Sequence, residues 1–258
     1  MIEAVAAALL QAFETGEPLE PLSDQYPELD LDAAYAIQRA LLAGHAAAGR
    51  RVVGRKIGLT NPAIQQQLGV DSPDFGAVLD SHVFAPGEPI VLSQHTMLNP
   101  RLEAEVAFVL ARPLAAGTTA GDVLAATEAV LPVFELVDSR IRDWKITLVD
   151  TVADNASALG AVYGTPVALG TVGALAELEV NITKDGEPLQ AGLGSAVMGD
   201  PANAVAWLAN ELGRRGDELP VGQPILSGSF TAVWDATPGH YVADFGPGLG
   251  SVETVVVP

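Results

Sequence analysis

The sequence predicts an α+β fold, in which helices and strands occupy separate stretches of the chain. Helical periodicity is found in the first 50 residues and again near residues 200–213, whereas short strand-like segments fill most of the remainder. A regular alternation of strands and helices would instead predict a parallel sheet, and it is absent. Of the 258 residues, 49% are hydrophobic and 17% are charged, so the chain can bury a substantial core.

Charge and composition exclude several classes of function. The 32 acidic and 13 basic residues give a net charge of −19, which argues against a nucleic-acid or anionic-membrane partner. The chain contains no cysteine, so disulfides, thiolate catalysis and cysteine-based zinc sites are excluded. The N-terminus lacks the basic region of a signal peptide, and no apolar run is long enough to span a bilayer. We therefore expect a cytoplasmic protein.

The first 50 residues predict two helices. Residues 2–15 carry apolar side chains at helical spacing and end before Gly16, and a loop through Pro21 and Pro27 follows. Residues 32–48 predict the second helix, with Asp30 or Asp32 as its cap. His45 on this helix is interpreted as a packing or surface residue. We expect residues 1–50 to pack as a helical N-terminal segment on a catalytic β-rich domain, residues 51–258, within one structural unit.

The central part of the chain predicts strands separated by short helices. A strand through GRKIGL is followed by a helix that opens at Asn61-Pro62, passes Ile64 and Leu68 and ends at Gly69. Further strands are predicted near residues 77–83, 89–92 and 101–110. Residues 121–131 predict one helix, and Pro132 begins the next strand.

The last third of the chain predicts a hairpin, one clear helix and further strands. Residues 143–157 are ambiguous between helix and loop, and residues 158–164 predict a strand. Asp185-Gly186 predicts a type I′ hairpin turn. Asp200-Pro201 caps a helix, and residues 220–258 are punctuated by Gly and Pro as in β-structure.

Three glutamates indicate a candidate metal site. Glu103 and Glu105 share one face of the strand RLEAEVAFVL, roughly 7 Å apart, with apolar residues following on the same face. Glu135 is a lone acid in the apolar segment LPVFELV. Buried like charges are costly unless a cation lies between them, which favours a divalent metal. The alternative is two half-exposed strands whose glutamates face solvent.

Other polar residues in apolar or loop settings are candidates for catalysis or substrate binding. Lys56 in GRKIGL could hold an anionic group or transfer a proton, or it could be a strand-edge lysine. Asp74 in PDFG lies on a loop, where turn chemistry is the alternative. Ser157 in DNAS and Ser227 in PILSGSF belong to small polar runs that could contact a ligand. No metal-type spacing is found among the histidines, which are His45, His82, His95 and His240.

Taken in order, four segments resemble the 2-hydroxypenta-2,4-dienoate (2-keto-4-pentenoate) hydratases of the fumarylacetoacetate hydrolase superfamily. The resemblance extends over nearly the whole chain, and the segments that carry it are GRKIGLTNPAIQQQLGVDSPDFG, PRLEAEVAFVL, LPVFELVDSRIRDW and VDTVADNAS. It implies a mixed β-roll core with peripheral helices. His240 departs from the acid often found at its position in the family, which leaves the role of that loop open.

The resemblance also implies a site and a reaction. Glu103, Glu105 and Glu135 match acids that bind Mg²⁺ or Mn²⁺ in such enzymes, and oxygen ligands suit hard cations. Lys56 and Asp74 match residues beside the substrate, and Ser157 and Ser227 fall where relatives contact it. The expected substrate is a small 2-hydroxydienoate or its 2-oxo acid, hydrated to 4-hydroxy-2-oxopentanoate during meta-cleavage of aromatic compounds. Such proteins are usually homo-oligomers and associate with other enzymes of their pathway.

Three alternatives stay open within the resemblance. One is 2-oxo-3-hexenedioate (4-oxalocrotonate) decarboxylase, against which Asp74 argues because those enzymes tend to lack an acid there. Another is a hydratase for a longer dicarboxylate, which would need a further cation such as Arg55, Arg140 or Arg142. The third is a catalytically silent partner subunit, which the intact acids and lysine disfavour.

Overall fold

The computed structural model describes residues 1–62, 65–66, 70, 72–85, 87–94 and 96–258. The predicted helix through Ile64 and Leu68, with its end at Gly69, therefore lies largely outside the described residues, as does His95. The described helices are α1 Ile2–Thr15, α2 Leu22–Gln25, α3 Leu31–Ala47, α4 Ala120–Ala126, α5 Leu148–Ala153 and α6 Pro201–Arg214. Among the described residues, no helix combines the length and the apolar character needed to cross a membrane.

The two N-terminal helices form as predicted. Helix α1 buries Val5, Leu9 and Phe13 and ends at Gly16, whose φ of +71° suits glycine. Helix α3 is capped by Asp30, whose side chain accepts a hydrogen bond from the Ala33 amide. Both helices contribute to the main hydrophobic core. A short helix, α2, lies within the segment that was predicted to be a loop.

The larger sheet contains nine strands, which are β1 Val52–Gly58, β2 Asp74–Leu79, β3 Val83–Phe84, β5 Arg101–Leu110, β6 Thr127–Val137, β7 Ala158–Tyr163, β8 Val167–Ala168, β11 Pro224–Ser229 and β12 Trp234–Asp235. It is mixed, because β1 pairs with β11 and β3 with β7 in parallel, while the other pairs are antiparallel. The strand order is β2-β1-β11-β5-β6-β7-β3, with β12 beside β5 and β8 beside β6.

The larger sheet curls until its distant strands meet. Val78 on β2, Ala161 on β7 and Leu226 on β11 belong to one small apolar cluster, together with Ala107 and Val133. Strands β2 and β7 lie far apart in the strand order, so only a curled sheet brings these side chains together. The cluster fills the inner face, and the glutamates of β5 and β6 lie on that same face further along the strands.

The smaller sheet completes the molecule, with the strand order β10-β9-β13-β14-β4. Its strands are β4 Pro89–Val91, β9 Glu179–Lys184, β10 Glu187–Leu193, β13 Gly239–Asp244 and β14 Ser251–Val257. The β9–β10 hairpin turns at Asp185 and Gly186, whose φ angles of 53° and 85° fit the predicted type I′ turn. The two sheets and surrounding helices bear out the predicted α+β class.

The prediction of one helix over residues 121–131 is wrong. Helix α4 ends at Ala126, and β6 begins at Thr127, five residues before Pro132. Residues 129–133 pair with β5 in antiparallel register and are largely buried. A strand buried on both faces shows no apolar alternation, so its sequence can be mistaken for the continuation of a helix. The ambiguous stretch 143–157 contains helix α5, which Thr147 and Asp150 cap reciprocally.

Candidate metal and substrate site

The pairing of β5 with β6 brings the three glutamates together. Glu103 lies directly opposite Glu135 in the antiparallel register, and Glu105 follows two residues on along the same face. Carboxylate oxygens of the three residues lie within 4.8 Å of one another. Glu105 and Glu135 are 0% and 1% exposed, whereas Glu103 is half-buried and borders a cavity. This geometry excludes two solvent-facing strands.

The hydrogen bonding of the glutamates leaves room for a cation. The Gly228 amide donates to Glu105 Oε2 at 2.8 Å. Glu105 Oε1 and both carboxylate oxygens of Glu135 have no hydrogen-bond partner among the described residues. Buried oxygens without donors are costly, and an all-oxygen set suits a hard dication, so these residues fit Mg²⁺, Mn²⁺ or Ca²⁺.

Burial and nearby negative charge raise the pKa values of these three acids. Burial raises the pKa of Glu135 to about 7, against the opposing effect of Lys56. Burial, with the charges of Glu135 and Glu103, raises the pKa of Glu105 well above its usual range. Burial, with the charge of Asp74, also raises the pKa of Glu103. A cation must therefore displace protons to bind here.

Lys56 lies on β1 and points into the same inner space. Its Nζ lies 3.4 Å from Glu135 Oε1 and donates a hydrogen bond of 3.0 Å to the Ala156 carbonyl. Burial alone would lower the pKa of Lys56, but the carboxylates of Glu135 and Asp74 outweigh it and raise the pKa. The buried side chain is therefore an ammonium group among acids.

Asp74 reaches Lys56 because its neighbour across the sheet is a glycine. Gly58 pairs with Asp74, and a Cβ at Gly58 would lie 2.3 Å from Asp74 Oδ1 and 3.0 Å from Lys56 Nζ. Asp74 Oδ2 accepts a hydrogen bond of 3.0 Å from Thr151, whereas Oδ1 has no hydrogen-bond partner among the described residues. Burial raises the pKa of Asp74, against the lowering effect of Lys56. One free carboxyl oxygen thus remains beside the lysine.

A cavity of about 300 Å³ opens beside these groups. Of the residues predicted from the sequence, Lys56, Asp74, Glu103 and Ser157 line it. Ser227 does not: it is fully buried, and its hydroxyl donates to the Val106 carbonyl at 2.8 Å. A register shift in β11 between Leu226 and Ser229 interrupts the alternation of side chains there. Ser229 lines the cavity instead, and a substrate contact by Ser227 stays a prediction.

The sequence also did not indicate a further group of residues that form one wall of the cavity. This wall is largely apolar, with Val137, Ile146 and Val233, and includes Trp144 and Arg101. The Arg101 guanidinium stacks over the Trp144 ring at 4.3 Å, and its Nε lies 3.4 Å from Asp235 Oδ1. Only the alternation of β5, which places Arg101 on the face of Glu103, could have indicated its position.

The three arginines that were considered for a second carboxylate do not line the cavity. Arg140 is buried against Asp154, with 2.5 Å between Nε and Oδ1. Arg142 pairs with Glu20 at 2.6 Å near the surface. Arg55 is on β1 directly before Lys56, so its side chain points to the opposite face.

The curled mixed sheet thus carries a set of carboxylate oxygens that could hold a divalent cation, beside a lysine and an aspartate. Residues 51–257 match the fumarylacetoacetate (FAA) hydrolase C-terminal family. The chain belongs to this family.

Relatives that are similar to the chain over nearly its whole length are hydratases. The chain is 44% identical to a 2-keto-4-pentenoate hydratase of Paraburkholderia xenovorans over 254 residues, which cover 98% of this chain and 93% of that protein. It is also 44% identical to a 2-hydroxyhexa-2,4-dienoate hydratase of Comamonas testosteroni, over 92% of this chain and 90% of that one. The fold matches 4-oxalocrotonate decarboxylase from Pseudomonas putida G7, complexed with magnesium and adipate, at a TM-score of 0.94 and 33% identity, over 99% and 97% of the two chains.

Proposed function

We propose that this protein is a metal-dependent hydratase, which adds water to 2-hydroxypenta-2,4-dienoate and yields 4-hydroxy-2-oxopentanoate. The observation that carries the proposal is the convergence of Glu103, Glu105 and Glu135 beside a cavity that Glu103, Lys56 and Asp74 line. The 44% identity to hydratases over nearly the full chain supports the choice of reaction.

The cofactor would be Mg²⁺ or Mn²⁺, held by Glu103, Glu105 and Glu135. Carboxylate oxygens are the ligands that such hard cations prefer, and those of Glu105 and Glu135 include buried atoms without a hydrogen-bond partner among the described residues. When bound, the cation would supply positive charge to the carboxylate and 2-oxygen of the substrate and stabilise negative charge on that oxygen.

The reaction needs protons to move at three positions of the substrate, which are the 2-hydroxyl group, C5 and C3. The 2-hydroxyl group loses its proton while C5 gains one, and the double bonds shift to give a 2-oxo-3-enoate. Water then adds across the conjugated C3–C4 double bond, its hydroxyl group to C4 and its proton to C3. Each step requires a proton donor or acceptor close to the carbon chain.

Lys56 and Asp74 are placed to move these protons. The Lys56 ammonium group is a buried donor, and Asp74 Oδ1 is a carboxyl oxygen without a hydrogen-bond partner among the described residues. Both groups border the space above Gly58, which opens into the cavity. Ser157 and Ser229, which also line the cavity, offer hydroxyl groups to the substrate.

The apolar wall of the cavity favours a substrate with an uncharged end. Val137, Ile146 and Val233 give the cavity an apolar part that suits the uncharged end of a five- or six-carbon acid. The acid Asp235 lies close to Arg101, so this cation is partly neutralised. We propose that a C5 methyl group is accepted and a second carboxylate is disfavoured.

The second candidate is 4-oxalocrotonate decarboxylase activity. Two observations favour it: Arg101 borders the cavity, and the matched decarboxylase structure contains adipate, a dicarboxylate. An assay with Mg²⁺ separates the two activities by following loss of the dienol absorbance and, with 2-oxo-3-hexenedioate, release of CO₂. We expect hydration of the dienol without appreciable CO₂ release. CO₂ release without hydration would contradict the hydratase proposal.

We also propose that the protein acts in the cytoplasm as a homo-oligomer, during degradation of aromatic compounds and in association with other enzymes of that pathway. The strand β10 supports self-association, because it lies at the end of the smaller sheet and its Leu189 and Leu193 side chains are exposed. Light scattering of the wild-type protein and of Leu193→Lys would test the role of this edge. A wild-type monomer would contradict it.

A further inference from the structure

Three consecutive residues behind the cavity adopt a left-handed backbone conformation. Asn155, Ala156 and Ser157 have φ angles of 56°, 52° and 53°, and none of them is a glycine. Residues with a Cβ adopt this conformation singly and at a cost, so a run of three needs strong support from its surroundings. All three residues are buried.

The first support is Arg140, which holds the residue before the turn. Its backbone amide donates to Asp154 Oδ2 at 2.8 Å, its Nε donates to Oδ1 at 2.5 Å and its Nη2 donates to the Asp154 carbonyl at 2.7 Å. Arg140 and Asp154 are both buried, so water does not compete for these bonds. The bonds fix the position at which the chain enters the turn.

The second support is the side chain of Asn155, which binds the backbone of β2 at both of its polar atoms. Its Nδ2 donates to the Ala77 carbonyl at 2.9 Å, and its Oδ1 accepts from the Ala77 amide at 2.8 Å. The adjacent Gly76 permits this approach, because a Cβ there would lie 2.2 Å from the Asn155 carbonyl oxygen. The turn is therefore tied to the strand that carries Asp74.

The turn delivers two groups to the site. The Ala156 carbonyl accepts the hydrogen bond from Lys56 Nζ, at 3.0 Å. The Ser157 side chain borders the cavity, 3.4 Å from the Thr151 hydroxyl group that donates to Asp74. Neither Arg140 nor Asn155 lines the cavity itself.

We propose that Arg140 and Asn155 are positioning residues: they hold Asn155–Ser157 in the left-handed conformation that orients Lys56 and presents Ser157 to the substrate. The effect on turnover rests on the proposed hydratase activity. The effect on Lys56 does not, because the Ala156–Lys56 contact exists in the protein without substrate or metal.

The test uses Asn155→Gly, since glycine removes both bonds to Ala77 and also relieves the left-handed strain. We therefore expect Asn155→Gly to fold without the two hydrogen bonds to Ala77. We expect kcat to fall at least about 10-fold, with KM and Mg²⁺ affinity within about twofold of wild type. In the metal-free protein, the ¹⁵N–¹H resonance of the Lys56 ammonium group should shift. Asn155→Asp keeps the acceptor for the Ala77 amide and should retain more activity than Asn155→Gly.

The matched control is Asp185→Gly, at another non-glycine residue in the left-handed region. Asp185 has a φ of 53° and accepts a hydrogen bond from the His240 amide, at a hairpin turn outside the cavity. This variant should match wild type in kcat and in the Lys56 resonance. If Asn155→Gly also matches wild type in both, the proposal is overturned. If Asn155→Gly is unfolded, kcat and the Lys56 resonance are measured on Asn155→Asp instead. Wild-type values of both in Asn155→Asp overturn the proposal.

The two proposals fail in different ways. Wild-type protein that does not hydrate the dienol contradicts the proposed function, and the Lys56 resonance still tests the role of the turn. Normal hydration by wild type, together with normal kcat and an unmoved resonance in Asn155→Gly, contradicts the positioning role alone.

Discussion

At the scale of single residues, Glu105 shows how surroundings determine the chemistry of a side chain. It is fully buried, one oxygen is held by the Gly228 amide, and the other has no hydrogen-bond partner among the described residues. A carboxylate in this setting is costly unless a cation compensates its charge. The same residue type at Glu128, exposed on β6, carries no such implication.

Glu105→Gln should therefore abolish divalent-cation binding and leave the fold intact. The amide keeps the shape of the side chain and can still accept from Gly228, but it removes the anionic ligand. Because even the loss of a residue that supports a ligand lowers metal affinity by about 10–100-fold, we expect a loss of at least about 100-fold here. Titration calorimetry with Mn²⁺ measures it. Glu128→Gln is the control, and a Glu105→Gln protein with wild-type affinity would remove this residue from the metal site.

The strand pattern was sufficient to predict some site residues and not others. Alternation along β5 places Glu103 and Glu105 on one face, as the sequence indicated. That Glu135 lies opposite Glu103 depends on the register between strands, which a single sequence does not reveal. In β11, regular alternation would place Ser227 and Ser229 on one face, but the register shift between Leu226 and Ser229 leaves only Ser229 at the cavity.

At the scale of secondary-structure elements, Asp150 connects helix α5 to the N-terminal helices. Its carboxylate accepts bonds from the amide and hydroxyl groups of Thr147, which cap the helix. It also accepts from the amide and hydroxyl groups of Ser23 on α2, at 3.0 and 2.7 Å. Asp122 forms the equivalent capping box on α4 at the surface, with Thr119 alone.

Asp150→Ala should destabilise the protein considerably more than Asp122→Ala. Loss of a cap alone costs about 1 kcal/mol, and loss of the two part-buried bonds from Ser23 raises the cost to roughly 2–4 kcal/mol. Urea unfolding, monitored by far-ultraviolet circular dichroism, compares the two variants. Equal midpoints would show that the contact between α5 and α2 contributes nothing to stability.

Predictability also differed among elements. The helices with clear caps, α3 and α6, were predicted because Asp30 and the Asp200-Pro201 pair mark their starts. The boundary between α4 and β6 was misplaced, since buried residues such as Val130 and Leu131 suit either element. Pairing with β5 decides that boundary, and such long-range pairing is not encoded in a short window of sequence.

At the scale of the whole molecule, the chain carries a net charge of −19, and three of its acids, Glu103, Glu105 and Glu135, lie close together. In the metal-free protein, the raised pKa of Glu135, about 7, means that this group favours folding below its unfolded value, near 4.5. That contribution is lost as the pH rises through about 7, because the folded state must then hold a buried negative charge. A bound cation reverses the penalty, since it binds the ionised form.

Stabilisation by Mg²⁺ should consequently grow with pH. We expect the increase in Tm on adding saturating Mg²⁺ to be small at pH 5.5 and larger at pH 8, where a ligand at 100 times its Kd contributes about 2.7 kcal/mol. Differential scanning calorimetry with and without Mg²⁺ gives both values, and Glu105→Gln is the control without a site. An increase in Tm that is equal at both pH values would show that the buried glutamates are not the group that binds Mg²⁺.

The central claim is that Glu103, Glu105 and Glu135 together hold one hard dication that a 2-oxo acid can bind beside Lys56 and Asp74. Crystals grown with Mn²⁺ and an unreactive 2-oxo acid test it through the anomalous scattering of manganese. The account predicts one strong anomalous peak, within about 2.0–2.4 Å of an oxygen from each of the three glutamates, with the 2-oxo acid in the cavity on its open side. No peak between these residues at saturating Mn²⁺, or a 2-oxo acid bound away from the peak, would contradict it.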